Sequence, residues 1–330
     1  MSINEQFNQN LYLVDLLKPL NYEPIRAGFG RGLKKAGLIN NNVVAACADL
    51  TESTQMNLFK EQFPERFFEI GVAEQNLVTL GSGLAALNKI PFVSSYAAFS
   101  PGRNWEQIRT TICLNDRPVK IVGSHAGVSV GPDGATHQML EDIALMRVLP
   151  NMKVFAPADS VEAEKITLAM SSDPKPNYIR LAREKTAIIT TEKTPFQIGQ
   201  GYILTKGGDI SLMATGTMSA QALLASELLY KEGIDAEVVH LPTIKPLDEQ
   251  TILKSAMKTR KVITIEEAQV NGGFGSAVAE VLSENYPVRM KRLGIYDRFG
   301  ESGSPDQLIK FFKLDSQGIK EQVLSFLKSF

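Results

Sequence analysis

Short runs of β-branched and apolar residues recur along this chain, separated by longer stretches where apolar residues return every three or four positions. The runs "VVAACADL" (43–50), "PFVSSYAAF" (91–99), "VKIVGSH" (119–125), "MKVFAPA" (152–158) and "NYIRLAR" (177–183) predict strands. Residues 71–89 and "SVEAEKITLAMSS" (160–172) predict helices. Alternation of this kind argues for an α/β layer fold around a largely parallel sheet. It breaks at "EKTAIITTEKTPFQIGQG" (184–201), a polar, threonine-rich segment interrupted by proline, which reads as a linker. A second series follows: strands at 209–216, 236–242, 261–268 and 288–295, a helix through Leu229, another opened by "NGGFGSAVAEVLSENY", and an amphipathic helix from about Ser316. The pattern divides the chain into two units, 1–190 and 191–330, with no internal repeat or low-complexity tract.

Composition narrows the class without naming a chemistry. With 44% hydrophobic residues, 22% charged residues and a net charge of −1, the chain reads as globular and soluble, and nothing points to a nucleic-acid or membrane-surface partner. Cys47 and Cys113 lie far apart in apolar segments and form neither a metal-ligand spacing nor a disulfide framework, so buried free thiols in a reducing cytoplasm are expected. The N-terminus lacks the basic start and apolar core of a signal peptide, and no run is apolar enough to span a bilayer.

Candidate chemistry begins in "RFFEIGVAEQNLVTLGSGLAALNK" (66–89). Leu77, Leu80, Leu84 and Leu87 fall on or near one face of a helix that reads as buried, and Gly81 and Gly83 interrupt it where a neighbouring backbone could approach. Glu74 stands at its start. A first-turn carboxylate suits the helix dipole and the unpaired N–H groups, and that structural use needs no further role.

Two of the three histidines, His125 and His137, flank Asp133 in "GSHAGVSVGPDGATHQMLED" (123–142), at the end of an expected strand and on the glycine-rich loop after it. Ligands gather at such strand ends in parallel sheets. Imidazole can donate to a substrate oxygen or exchange protons near neutral pH, and Asp133 could accept from a hydroxyl or orient one ring. The alternative is a surface loop whose polar residues cap strands and turns. Arg26, Ser53 and Arg183 could bind an anion, although singly each reads as a surface residue, and Asp49 and Ser53 could both be helix caps. Tyr96 and Phe99, three residues apart, could wall a flat ring or simply fill the core. "NGGFGSA" (271–277) lacks the dinucleotide spacing and the P-loop lysine, so close helix packing is expected there, and Glu266 and Glu267 read as pairing across an interface. No zinc or di-iron spacing and no nucleophile elbow occurs.

From about residue 20 onward, "ADLTEST", "FFEIGVAEQN", "HAGVSVGPDGATHQ", "YIRLAR" and "IEEA…GGFGS" resemble, in order and spacing, the C-terminal half of transketolase. The resemblance implies two three-layer α/β/α domains with mainly parallel sheets: a thiamine diphosphate pyrimidine-binding fold, then a transketolase C-terminal-domain fold. It implies thiamine diphosphate-dependent transfer of a two-carbon ketol unit from a ketose phosphate to an aldose phosphate, as in pentose phosphate metabolism or a related route using modified sugars. Glu74 would hydrogen-bond N1′ of the cofactor's aminopyrimidine in a mostly apolar surrounding that raises its carboxyl pKa. Tyr96 and Phe99 would hold that ring, with Asp49 nearby. His125, Asp133 and His137 would bind ketose hydroxyls and stabilise the departing aldehyde oxygen, while Arg26, Ser53 and Arg183 hold the sugar phosphate. Roles for Arg103 and Asn104 stay open.

Full-length transketolases also carry a GDG…N motif that binds Mg2+ and diphosphate, and this chain has none. The resemblance therefore implies the second subunit of a split transketolase, inactive until a separate N-terminal subunit joins it, two such pairs forming a heterotetramer. The nearest alternatives are a deoxyxylulose-phosphate synthase, whose motif has Arg where His125 stands, and a 2-oxoacid dehydrogenase β subunit, which lacks "DGATHQ". A non-catalytic subunit of the same fold would have been free to lose Glu74, His125 and His137.

Overall fold

Side-chain alternation along the strands divides the first unit's core into two layers. A computed structural model describes residues 6–16 and 18–329. Seven strands form one sheet in the order Thr243–Lys245, Lys153–Phe155, Asn177–Arg180, Lys120–Ser124, Ile90–Tyr96, Val43–Cys47 and Phe67–Glu69. All pair in parallel except the first. Val43, Ala45, Cys47, Phe92, Val122 and Ile179 pack with helices Ile25–Ile39 and Ser160–Ser172, whereas Ala46, Val93, Ile121 and Tyr178 pack with Glu74–Ala86 and Ile108–Cys113. Gly28 and Gly32 bring the first two helices together: a Cβ on Gly28 would stand 1.7 Å from the Ser160 carbonyl oxygen, and one on Gly32 2.8 Å from Thr167 Cβ.

The second sheet runs Arg289–Ile295, Lys261–Gln269, Ile210–Ala214, Ala236–His240 and Tyr202–Thr205, the last strand antiparallel. Helices Met218–Tyr230 and Ser316–Lys328 cover one face and Glu249–Thr259 and Phe274–Asn285 the other. Both units are thus three-layered α/β/α, as the alternation predicts. Among the described residues no helix is long and apolar enough to cross a membrane. Cys47 and Cys113 are free and buried, and burial pushes the Cys113 thiol up to about 12.

Several expectations need correction. The expected linker is an ordered strap: Lys185–Ala187 pairs antiparallel with Tyr22–Pro24, and buried Asp159 accepts the backbone N–H groups of Ile189 and Thr190 and the Thr190 hydroxyl. The two units also exchange segments, since Thr243–Lys245 extends the first sheet and Phe7 bridges to Thr205 of the second. Helix Glu74–Ala86 is buried on one face only. It runs unbroken through both glycines, Gly81 meets side chains of Val93 and Val119 rather than a backbone, Gly83 faces open space, and Leu87 is exposed. Glu266 accepts the Phe274 and Gly275 amides at 2.7 Å each, within its own unit, whereas Glu267 reaches across to the first unit and accepts the Ser129 amide at 2.6 Å. The third histidine, His240, is a buried tie between units, with Nε2 2.8 Å from Glu162 and Nδ1 2.6 Å from the Ser219 hydroxyl.

Candidate active site

Five parallel strands deliver the candidate residues to one edge of the first sheet, at their carboxyl ends. Val43–Cys47 leads to Asp49 and Ser53, Phe67–Glu69 to Glu74, Ile90–Tyr96 to Phe99 and Arg103, Lys120–Ser124 to His125, and Asn177–Arg180 to Arg183. Arg26 enters from the first turn of helix Ile25–Ile39 and donates from Nη1 to the Ser53 carbonyl at 2.6 Å.

Glu74 opens its helix and is 2% exposed. Its surrounding is not the mostly apolar one expected: Arg103 Nη1 donates to Oε2 at 2.7 Å, and the Arg103 guanidinium lies 4.7 Å above the Phe99 ring. Asn104 fixes the same turn, donating from Nδ2 to the Glu74 carbonyl at 2.8 Å.

From Phe99 the rings continue without a gap. Tyr96 stacks on Phe99 at 6.2 Å between centroids and on His125 at 3.9 Å, and His137 meets Phe99 edge-on at 5.4 Å. The wall expected of Tyr96 and Phe99 therefore includes both imidazoles. Burial first, and then the neighbouring Arg26, Arg183 and His137, push His125 down to about 3, so the imidazole is neutral at ordinary pH.

Asp133 orients neither ring. The Ser124 hydroxyl lies 2.9 Å from His125 Nδ1 and the Thr136 hydroxyl 2.9 Å from His137 Nδ1, whereas the exposed Asp133 carboxylate lies 3.9 Å from Arg183. Arg183 also donates to the Val130 carbonyl at 2.8 Å. Burial lowers the pKa of Arg26, and its Nε is buried without a hydrogen-bond partner. Asp49 is exposed and joins the site through its backbone, its N–H donating to Glu69 at 2.7 Å. That Glu69 carboxylate also takes the Thr51 hydroxyl and the amides of Ile70 and Gly71, so it ties together the two loops beside Glu74.

The first unit matches the family model for the transketolase pyrimidine binding domain over residues 24–187, and the second the transketolase C-terminal domain over residues 199–319. The chain is 44% identical to a transketolase C-terminal section of Methanocaldococcus jannaschii, over 93% of this chain and 97% of the relative. The chain belongs to the transketolase family. A 6-deoxy-6-sulfo-D-fructose transketolase subunit of Clostridium sp. (strain MSTE9) is 41% identical over 85% of this chain and 87% of its own. A solved split-gene transketolase, an inactive beta4 tetramer, superposes with a TM-score of 0.86 at 42% identity, covering 92% of this chain and 97% of that one. Longer members, such as human transketolase, are matched over about half their own length, 48% for the human enzyme.

Within this transketolase framework, reading the sequence passed over Glu69 and left Arg103 and Asn104 without a role. "FFEIGVAEQN" offers two glutamates, and only three-dimensional contact separates the one that binds backbone amides from the one that opens the helix. The pairing of Arg103 with Glu74 spans 29 residues and has no local signature.

Proposed function

We propose that this chain is the pyrimidine-binding and C-terminal part, divided near residue 190, of a thiamine diphosphate-dependent transketolase that moves a two-carbon ketol unit from a ketose phosphate to an aldose phosphate. One observation carries the reading: a continuous surface leads from the buried Glu74 carboxylate across Phe99 and Tyr96 to His125, His137 and two arginines. The residues fit an aminopyrimidine. A buried carboxylate lies beside two stacked rings, and neighbouring Gly71, at φ +74°, faces space where a Cβ would meet no atom within 4 Å.

Thiamine diphosphate, when bound, supplies the carbon nucleophile for the ketose carbonyl. Glu74 would hold the pyrimidine ring nitrogen by a hydrogen bond, with Oε1 available because Arg103 engages Oε2. In the tautomer where the Ser124 hydroxyl donates to Nδ1, neutral His125 carries its proton on Nε2 and can donate it toward a substrate oxygen. His137 offers a second donor where negative charge develops on the leaving aldehyde oxygen, a form of stabilisation that grows in the transition state. Asp133, exposed on the same loop, accepts from ketose hydroxyls. Arg26, whose pKa is lowered by burial first and then by the charge of Arg183, holds the anionic end of the sugar together with Arg183 and the Ser53 hydroxyl.

We assign Mg2+ and diphosphate binding to a separate N-terminal subunit, and the active species to a heterotetramer of two pairs. Relatives of the same length support this, since one is a C-terminal section and another a subunit. Among the described residues no group of three or more His, Cys, Asp or Glu could hold a metal ion. Two buried thiols suit a reducing cytoplasm. A second reading, favoured by the Clostridium relative, is a sulfonated ketose as donor, because an arginine pair reads the charge of the group rather than its central atom.

The test assays the chain alone and with its partner, with thiamine diphosphate and Mg2+, offering fructose 6-phosphate, its 6-deoxy-6-sulfo analogue and pyruvate in turn as donor. Transfer from a ketose by the assembled pair supports the proposal, and the preferred ketose chooses between the two readings. Full activity of the lone chain overturns the split. Use of pyruvate alone overturns the ketol transfer, and an assembly that binds no cofactor leaves a non-catalytic subunit.

A further inference from the structure

The loop carrying Asp133 and His137 is held from the second unit. Its backbone turns on three glycines at positive φ, Gly127, Gly131 and Gly134, which leaves few side chains to fix it from within. Glu267, on the second sheet and 3% exposed, accepts the Ser129 amide at 2.6 Å with Oε1 and the Thr217 hydroxyl at 3.1 Å with Oε2. Among the described residues no salt bridge reaches this carboxylate, although Arg180 donates from Nη2 to the Glu267 backbone carbonyl at 2.7 Å and, against the effect of burial, has its pKa raised by Asp142 and then by Glu267. A buried carboxyl group is costly to desolvate, and an apolar residue would pack there without that cost.

Gln138, also 3% exposed, is the second hold. Its Nε2 shares two N–H groups among the carbonyls of Val128, Gly131 and Glu301, at 3.2, 3.1 and 2.9 Å, bridging the loop to the C-terminal segment of the second unit. The approach there is close: a Cβ on Gly134 would lie 2.5 Å from the Ser302 hydroxyl, and one on Gly131 3.1 Å from Pro305. Arg183 is fastened to the same loop through the Val130 carbonyl. Displacing the loop would therefore move Asp133, His137 and Arg183 together. Glu74, Tyr96 and Phe99 stand on other elements and would stay.

We infer that the C-terminal unit sets the substrate side of this active site, with Glu267 and Gln138 as positioning residues for the Asp133–His137 loop. This rests on the transketolase reading for what the loop binds, although not for how it is held.

The test has two arms. Hydrogen exchange on the full chain alone compares Glu267→Ala, Glu267→Gln and Gln138→Ala with the parent and with Arg147→Ala, which breaks a contact between units (Arg147 to Glu280) away from the loop. Exchange across 127–139 should quicken about tenfold or more in Glu267→Ala and Gln138→Ala, since each loses at least one hydrogen bond of ordinary net strength to the loop. It should stay unchanged across 74–86. Glu267→Gln keeps an acceptor for the Ser129 amide and should recover most of the protection.

In the assembled enzyme the two alanine variants should raise KM for the ketose phosphate about tenfold or more, with thiamine diphosphate affinity within about twofold of the parent. Arg147→Ala should alter neither. Exchange at 127–139 that matches the parent or the Arg147→Ala control overturns the inference, as does a cofactor affinity that falls in step with KM. If the parent assembly transfers no two-carbon unit, the functional reading fails while the exchange arm still decides how the loop is held.

Discussion

Asp142→Asn tests how the floor beneath the site is built. Asp142 is fully buried and accepts from the Tyr178 hydroxyl at 2.8 Å and from Arg180 Nε at 3.2 and 3.0 Å on its two oxygens. Arg180 spends Nη2 on the carbonyls of Glu267, at 2.7 Å, and Met139, at 3.4 Å, so this ion pair joins the second unit to the end of the substrate loop. The amide preserves volume and one acceptor but removes the charge, leaving the buried guanidinium without its direct ion-pair partner, with Glu267 as the remaining acidic group acting on it. Breaking a buried pair from one side costs about 3–5 kcal/mol. Tyr178→Phe removes a single hydrogen bond and leaves the pair whole, which should cost about 1–2 kcal/mol. Urea unfolding followed by the fluorescence of Trp105 measures both. It is the only tryptophan, and its Nε1 donates at 2.8 Å to the Leu145 carbonyl in the helix that Asp142 begins. A cost below about 1 kcal/mol for Asp142→Asn, or one no larger than that of Tyr178→Phe, would refute the reasoning.

Other perturbations separate the remaining roles. His125 stays neutral in the fold down to about pH 3 but takes its proton near 6.5 when unfolded, so between those values the unfolded chain binds more protons. The residue therefore lowers stability as pH falls through that window, by up to about 1.4 kcal/mol per pH unit. Urea midpoints from pH 7 to 5 should decline less steeply in His125→Asn, and an unchanged slope would contradict the burial argument. Arg26→Ala should cost about tenfold to a hundredfold in kcat/KM for a phosphorylated donor and much less for an uncharged one, and equal losses would remove Arg26 from the anion site. Gly28→Ala drives a Cβ into the Ser160 carbonyl and should lower stability by about 1–3 kcal/mol or more, read by urea midpoint.

Strand–helix alternation was the most legible feature, because the strands of a sheet covered on both faces are apolar throughout and helices of ordinary length separate them. The segment Ile25–Ile39 does not advertise its helix. Gly28, Gly30, Gly32 and Gly37 lower its intrinsic preference, and the compensation, close packing on Ser160–Ser172, lies more than a hundred residues away. The strap at 184–201 misled for a related reason. Its polar residues bond to Asp159 and to the N-terminal segment rather than to solvent, as in the Thr191 hydroxyl's bond to the Tyr12 carbonyl.

Within the site, residues at strand ends could be read from motifs, since each motif follows its own strand. The groups that hold them could not. Arg103 on Glu74, Glu69 on the Asp49 amide, Gln138 on Glu301 and Glu267 on Ser129 are tertiary pairings, the last across 138 residues. Asp133 shows the reverse error. Proximity in sequence to two histidines suggested an orienting role, whereas neighbouring hydroxyls hold the rings and the carboxylate leans toward Arg183.

The most direct measurement is a structure of the assembled enzyme with thiamine diphosphate bound, in which the distance from the Glu74 carboxylate to N1′ of the cofactor is read. An oxygen at about 2.6–3.0 Å from that nitrogen, with the ring against Phe99 and Tyr96, is the predicted result. A pyrimidine lodged elsewhere, with Glu74 bound to Arg103 alone, would contradict it.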